Sequence, residues 1–83
     1  MAYELLYTRR AIKDIEALDP VARRRLGKKL EEFRSNPLAF SQPLIHSSLG
    51  QYRFRVGDYG VIFDLHGSKI VVLRAGHRRE IYR

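Results

Sequence analysis

The residues best suited to chemistry cluster in the second half of the chain. Arg53 and Arg55 stand two apart within Tyr52-Arg53-Phe54-Arg55-Val56. On a strand that spacing puts both guanidinium groups on one face and Tyr52, Phe54 and Val56 on the other. A second concentration closes the sequence: Gly76-His77-Arg78-Arg79-Glu80-Ile81-Tyr82. Arginine presents a planar fork matched to phosphate and carboxylate and stays protonated, so it stabilises negative charge rather than acting as a base. Histidine exchanges a proton near neutrality and tyrosine carries a phenolic proton, which makes His77 and Tyr82 the candidate proton-handling groups. If the tail folds back over the Arg53/Arg55 face, His77, Arg78 and Tyr82 join that pair around one anion. The alternative reading is structural: a solvated basic sheet face, a surface histidine and a tyrosine anchoring the C-terminus.

Other chemistries find little support. The three histidines lack metal-ligand spacing, and there is no cysteine, which excludes disulfides and thiolate metal sites. No metal and no cofactor are expected. No phosphate-cradling glycine loop and no serine–histidine–acid arrangement is present. Asp58 reads as a turn residue and Asp64 as a strand-end charge. His46, in a loop, reads as solvated, with contact to a substrate as the sharper alternative.

The elements that must position these residues follow from pattern. Gly57-Asp58 is a two-residue turn tolerant of positive φ, so Val56 faces Tyr59, Arg55 faces Gly60, Phe54 faces Val61 and Arg53 faces Ile62. His66-Gly67-Ser68-Lys69 is the next turn, which makes residues 52–76 a three-stranded antiparallel meander. Tyr3-Glu4-Leu5-Leu6-Tyr7 reads as an N-terminal strand. Thr8 caps a helix with Ile12, Ile15 and Leu18 on its inner face. Asp19-Pro20 starts a second helix with Ala22, Leu26, Leu30 and Phe33 inward, ended by Ser35-Asn36-Pro37. The run Arg23-Arg24-Arg25 fans around that helix, so it reads as a solvated face that also steers polyanions at long range. Residues 36–49 read as a connection pinned by Leu38, Phe40, Leu44 and Leu49. The expectation is an α+β fold, a single domain over residues 1–83 with the helical hairpin packed on one face of a small, mostly antiparallel sheet.

Charge points to the class of partner. Sixteen basic against nine acidic residues give +7, and residues 50–83 alone carry seven basic against three acidic, a balance of +4. A polyanion partner is expected, nucleic acid before an acidic protein segment. No stretch approaches the roughly 20 apolar residues of a membrane span, and a cytoplasmic location is expected.

The run Tyr52-Arg53-Phe54-Arg55-Val56-Gly57-Asp58-Tyr59, the strand Val61-Ile62-Phe63 and above all the ending Gly76-His77-Arg78-Arg79-Glu80-Ile81-Tyr82 resemble the RelE branch of the RelE/ParE toxin superfamily. The resemblance extends over essentially the whole chain. It implies a toxin of a type II toxin–antitoxin pair that cleaves mRNA in the ribosomal A site without a metal, and that a cognate antitoxin silences by wrapping around it. The antitoxin expected here supplies an acidic, partly apolar segment. Carried over by position, the resemblance assigns catalysis to Arg53, Arg55, Arg78 and Tyr82, to which the residue types add His77. Arg53, Arg55, Arg74 and Arg79 are the expected RNA-binding set. One position departs from the pattern: Gly60 stands where RelE-like toxins usually carry arginine, which implies attenuated activity. Two alternatives stay open, a ParE-like inhibitor of DNA gyrase and an inactive antitoxin-binding relic.

Overall fold

The computed structural model describes residues 2–45 and 48–81. The first strand, β1 (Glu4–Tyr7), gives way at Thr8, whose extended backbone and Oγ1, accepting from Ala11 N–H at 3.1 Å, open helix α1 (Arg9–Glu16). Asp19 Oδ1 likewise accepts from Ala22 N–H at 2.9 Å, and Pro20 is the first residue of α2 (Pro20–Phe33). Both helix starts fall where the sequence signals them. After a single 3-10 turn at Pro37–Ala39 come strands β2 (Ser41–Pro43), β3 (Tyr52–Val56), β4 (Tyr59–His66) and β5 (Lys69–His77), then a one-turn helix α3 (Arg78–Ile81).

The sheet has the order β1-β5-β4-β3-β2. Strands β3, β4 and β5 form the expected meander, with Val56↔Tyr59, Arg55↔Gly60, Phe54↔Val61 and Arg53↔Ile62 in the expected register. Gly57 supplies the positive φ, +59°, at the first turn and Gly67, at +61°, at the second. Two features exceed the expectation. β1 joins the sheet parallel to β5, which makes the sheet mixed. The connection over 36–49 contains β2, which pairs with Tyr52–Phe54. Pro43 is compatible with that strand because β2 lies at the edge of the sheet, where a missing N–H breaks no ladder.

Helices α1 and α2 cover one face. Ala22, Leu26, Leu30 and Phe33 of α2 are all buried, as their spacing requires. Phe33 stacks on Phe54 at 4.2 Å between ring centroids and meets Phe63 edge-on at 5.2 Å. Two packing expectations need correction. Ala11, fully buried, takes the innermost place on α1, and Ile12 is 47% exposed. The cause is proximity: Thr8 donates to Val72 O through its N–H and to Leu73 O through Oγ1, both at 3.1 Å, which draws α1 so near β5 that a small residue faces the sheet. Leu38 and Phe40 do not pin the connection, for they are 52% and 60% exposed; Pro37 is the buried residue there.

The turn at Gly57 generates a stability prediction. A Cβ at Gly57 would lie 3.6 Å from Arg25 Nη2, an ordinary contact, so space is not the obstacle; the left-handed φ is. Gly57→Val is therefore expected to lower unfolding free energy by ~1–3 kcal/mol in urea denaturation. A second prediction concerns Tyr7. Partial desolvation, reinforced by Glu31 and opposed by Arg34, holds its pKa above the usual 10.0. The folded state thus prefers the neutral phenol, and the associated stability is complete below pH ~10 and lost as pH rises through the folded value. In thermal melts across alkaline pH, Tyr7→Phe should flatten the decline seen with the parent chain.

Candidate active site

The face opposite the helical hairpin is assembled by strand alternation. One cross-strand row carries Arg53, Ile62 and Arg74; the next carries Arg55, Gly60 and Gly76. With strands ~4.8 Å apart, each row is roughly 10 Å wide, a width that two arginine side chains can close over a phosphate. Loop and tail line this face. Gly50 lies so close to it that an added Cβ would fall 2.6 Å from Ile62 Cγ2 and 2.8 Å from Leu73 Cδ1. Asp64 Oδ1 fixes that loop by accepting from Gln51 N–H at 2.8 Å, and Gln51 Oε1 returns a bond from Leu65 N–H at 2.9 Å.

Helix α3 folds onto the glycine row and packs against β4 and β5. A Cβ on Gly76 would stand 3.3 Å from Ile81 Cγ2, and Ile81 is buried. Gly60 is buried as well. The space left at Gly76 therefore seats Ile81 of α3. Arg78, the first residue of α3, donates its N–H to Asp58 O at 3.0 Å, which ties the C-terminal segment to the β3–β4 turn and so to Arg55. Asp58 is a turn residue, as expected, with this added duty.

The cationic residues differ in their commitments. Arg55 is exposed and makes no hydrogen bond or ion pair among the described residues. Arg53 is half-buried, and its Nε and Nη2 both reach Gln42 Oε1, at 3.2 and 2.6 Å, so the neighbouring strand orients the guanidinium. Arg78 is half-buried, and its Nε is buried without a hydrogen-bond partner. A buried guanidinium N–H with no acceptor carries a desolvation cost. Arg74 has a different fate. Its Nε lies 2.7 Å from Asp14 Oδ2, and the same oxygen accepts from Ala75 N–H at 3.1 Å, while Arg10 Nε approaches Asp14 Oδ1 at 3.4 Å. Asp14 thereby closes the edge of β5 beyond its pairing with β1. Arg79 is exposed, and its N–H donates to His77 Nδ1 at 3.3 Å.

His77 is not brought to the Arg53/Arg55 face. It pairs with Tyr59, shares the hairpin side of the sheet with Val61 and Ala75, and meets the Tyr59 ring edge-on at 5.9 Å. With Asp14, Arg74 and Glu80 it lines a separate cleft of about 310 Å³. Its Nδ1 caps the start of α3. Tyr82 and His46 lie outside the described residues. Sequence reasoning missed Asp14, Gln42 and Gln51. Asp14 carries a faint signal, the i, i+4 spacing from Arg10; its partner Arg74 is 60 residues away and leaves no local trace.

Residues 5–82 match the family described as ParE toxin of type II toxin-antitoxin system, parDE. The chain is 30% identical over 89 residues to the toxin RelG of Mycobacterium tuberculosis, covering 100% of this chain and 99% of that one. Its fold superposes with a TM-score of 0.86 on a chain of the toxin–antitoxin complex RelBE2 from M. tuberculosis, at 23% identity, over 94% of this chain and 100% of that one. It superposes at 0.79 on a double-arginine mutant of the E. coli toxin RelE in the free state, at 26% identity, over 99% of this chain and 92% of that one. The chain belongs to the RelE/ParE superfamily of type II toxin–antitoxin toxins, and within it is RelE-like.

Proposed function

We propose that this toxin is a metal-independent endoribonuclease that cuts mRNA in the ribosomal A site and so halts translation in the cytoplasm. The observation that carries the reading is the pair of uncommitted guanidinium groups: Arg55, exposed and unpartnered among the described residues, and Arg78, whose side chain makes no hydrogen bond or ion pair among the described residues and whose backbone is tied to the turn beside Arg55. In the reaction, the ribose 2′-oxygen attacks the adjacent phosphorus, the bond from phosphorus to the 5′-oxygen breaks, and the proton leaves the 2′-hydroxyl and arrives on the 5′-oxygen. The products are a 2′,3′-cyclic phosphate and a 5′-hydroxyl. Arg55 and Arg78 clamp the phosphate and stabilise the charge that develops on its oxygens. Arg53, oriented by Gln42, binds the neighbouring backbone, and Arg79, exposed on α3, extends the basic track. Tyr82 is assigned the proton transfer by resemblance. His77 is assigned the start of α3 rather than proton transfer, and Arg74 the ion pair with Asp14 rather than RNA.

A cognate antitoxin is the second partner. The RelBE2 relative is a toxin–antitoxin complex, and the hairpin here offers an apolar groove of about 320 Å³ lined by Tyr7, Ile12, Ile15, Leu26 and Leu30, with Ile12 47% exposed. An acidic segment with an apolar face fits that groove by folding on contact. A second reading has one observation in its favour: the matching family is described by its ParE members, and a ParE-like toxin would inhibit DNA gyrase and need no phosphate clamp.

A purified translation system separates the readings. Arg55→Ala and Arg78→Ala are each expected to lower the rate of mRNA cleavage by ~10²–10³, while His77→Asn, which keeps an acceptor for Arg79 N–H, retains most of it. Cleavage undiminished in both arginine variants, or inhibition of gyrase supercoiling by the parent chain, contradicts the nuclease reading. Gly60 yields a further prediction. Gly60→Arg, in a variant whose melting temperature matches the parent, is expected to deepen growth arrest on expression; unchanged arrest argues that Gly60 does not attenuate the toxin.

A further inference from the structure

Beside the phosphate face lies a second feature that the cleavage chemistry does not use. β2 pairs with β3 only along Tyr52–Phe54, so the backbone of β3 from Arg55 to the turn has no strand on its outer side. α2 stands over that free edge, and the two enclose a groove of about 280 Å³. Its base is the Phe33–Phe54 stack, and its walls are Arg25, Lys29, Glu32, Arg55 and Phe40. Phe40 is 60% exposed, an aromatic ring presented to solvent at the groove mouth. Lys29 is engaged with Glu32 at 3.4 Å, but Arg25 and Arg55 make no hydrogen bond or ion pair among the described residues. Arg25 sits against the β3–β4 turn, with Nη2 3.6 Å from the position of a Cβ on Gly57.

We propose that this groove binds an unpaired RNA nucleotide adjacent to the scissile one, its base stacked on Phe40 and its phosphate held between Arg25 and Arg55. The inference rests on the reading that the toxin acts on RNA and extends it to a second subsite. Three observations favour this occupant. Exposed aromatic surface between unpaired guanidinium groups is the combination by which proteins hold single-stranded nucleic acid, the ring taking the base and the charges the backbone. Arg55 stands on the edge of β3 that divides the groove from the phosphate face, so one strand can pass over that edge from one into the other. The free N–H and C=O groups of the β3 edge offer partners to base and ribose edges.

The test is the affinity of the full chain for a 5′-fluorescein-labelled hexauridylate of 2′-O-methyl nucleotides, which cannot be cut, followed by anisotropy at several salt concentrations. Phe40→Ala is expected to weaken binding about 5- to 140-fold, the range for losing one base–aromatic stack. Phe40→Trp should bind at least as tightly as the parent. Arg25→Ala should reduce the slope of log affinity against log salt by ~0.7, as one phosphate contact on a single strand does. Matching melting temperatures confirm that the exposed ring is not needed for folding. Parent-level affinity in Phe40→Ala overturns the proposal, as does a parent chain that fails to bind the oligonucleotide below ~100 µM at low salt. Loss of affinity for an acidic antitoxin peptide alone, with RNA binding intact, also overturns it and makes the groove a protein-docking site. The cleavage assay keeps the two readings apart. If Phe40 matters for affinity while Arg55→Ala and Arg78→Ala still cleave, the subsite stands and the clamp falls; the reverse pattern rejects the subsite alone.

Discussion

The stack of Phe33 on Phe54, 4.2 Å between centroids, determines which way the third strand faces. With Phe54 held against α2, alternation sends Tyr52 and Val56 inward and Arg53 and Arg55 to the opposite face. The Gly57 turn enforces the same register from the other end of the strand. A slip by one residue would bury two guanidinium groups among Leu26, Leu30 and Phe33 and expose three apolar side chains, so hydrophobic burial and charge desolvation act against it together. The cationic face is in this sense a by-product of the core: the energy that fixes it is spent on the other side of the sheet.

Four basic residues on or near that face are sorted by what they touch. Asp14 holds Arg74 at 2.7 Å and also satisfies the N–H of Ala75, so removing it would leave both a cation and a backbone donor without this partner. Gln42 orients Arg53 through a neutral oxygen. Arg55 and Arg78 remain, linked through the bond from Arg78 N–H to Asp58 O. The missing side chain at Gly76 is what lets α3 settle close to the sheet, with Ile81 seated against it. Gly60, beside Gly76 in the same row, adds no charge to this part of the face.

Much of this was legible in the sequence because it is local. The caps at Thr8 and Asp19, the inward set of α2 and the β3–β4 register follow from spacings within a dozen residues, and the structure repeats them. What was not legible depends on contacts between distant segments. Ala11 displaces Ile12 from the core because Thr8 bonds to β5, more than 60 residues on. β1 pairs parallel to β5, and β2 exists because an edge tolerates Pro43. The side of the sheet on which His77 lies depends on β5 continuing one residue past Gly76 before α3 begins. A tail that folds back over the arginine face as a unit would carry His77 there with Arg78; alternation instead leaves His77 on the hairpin side.

The central claim is that Arg55 and Arg78, on different elements, serve a single phosphate. The most direct measurement follows the arginine Nε–H resonances of the ¹⁵N-labelled toxin by NMR while an uncleavable 2′-O-methyl trinucleotide is added. The account predicts that the Arg55 and Arg78 signals move together along one binding curve. An Arg78 resonance that stays still while Arg55 titrates, or two curves with unrelated midpoints, would contradict it.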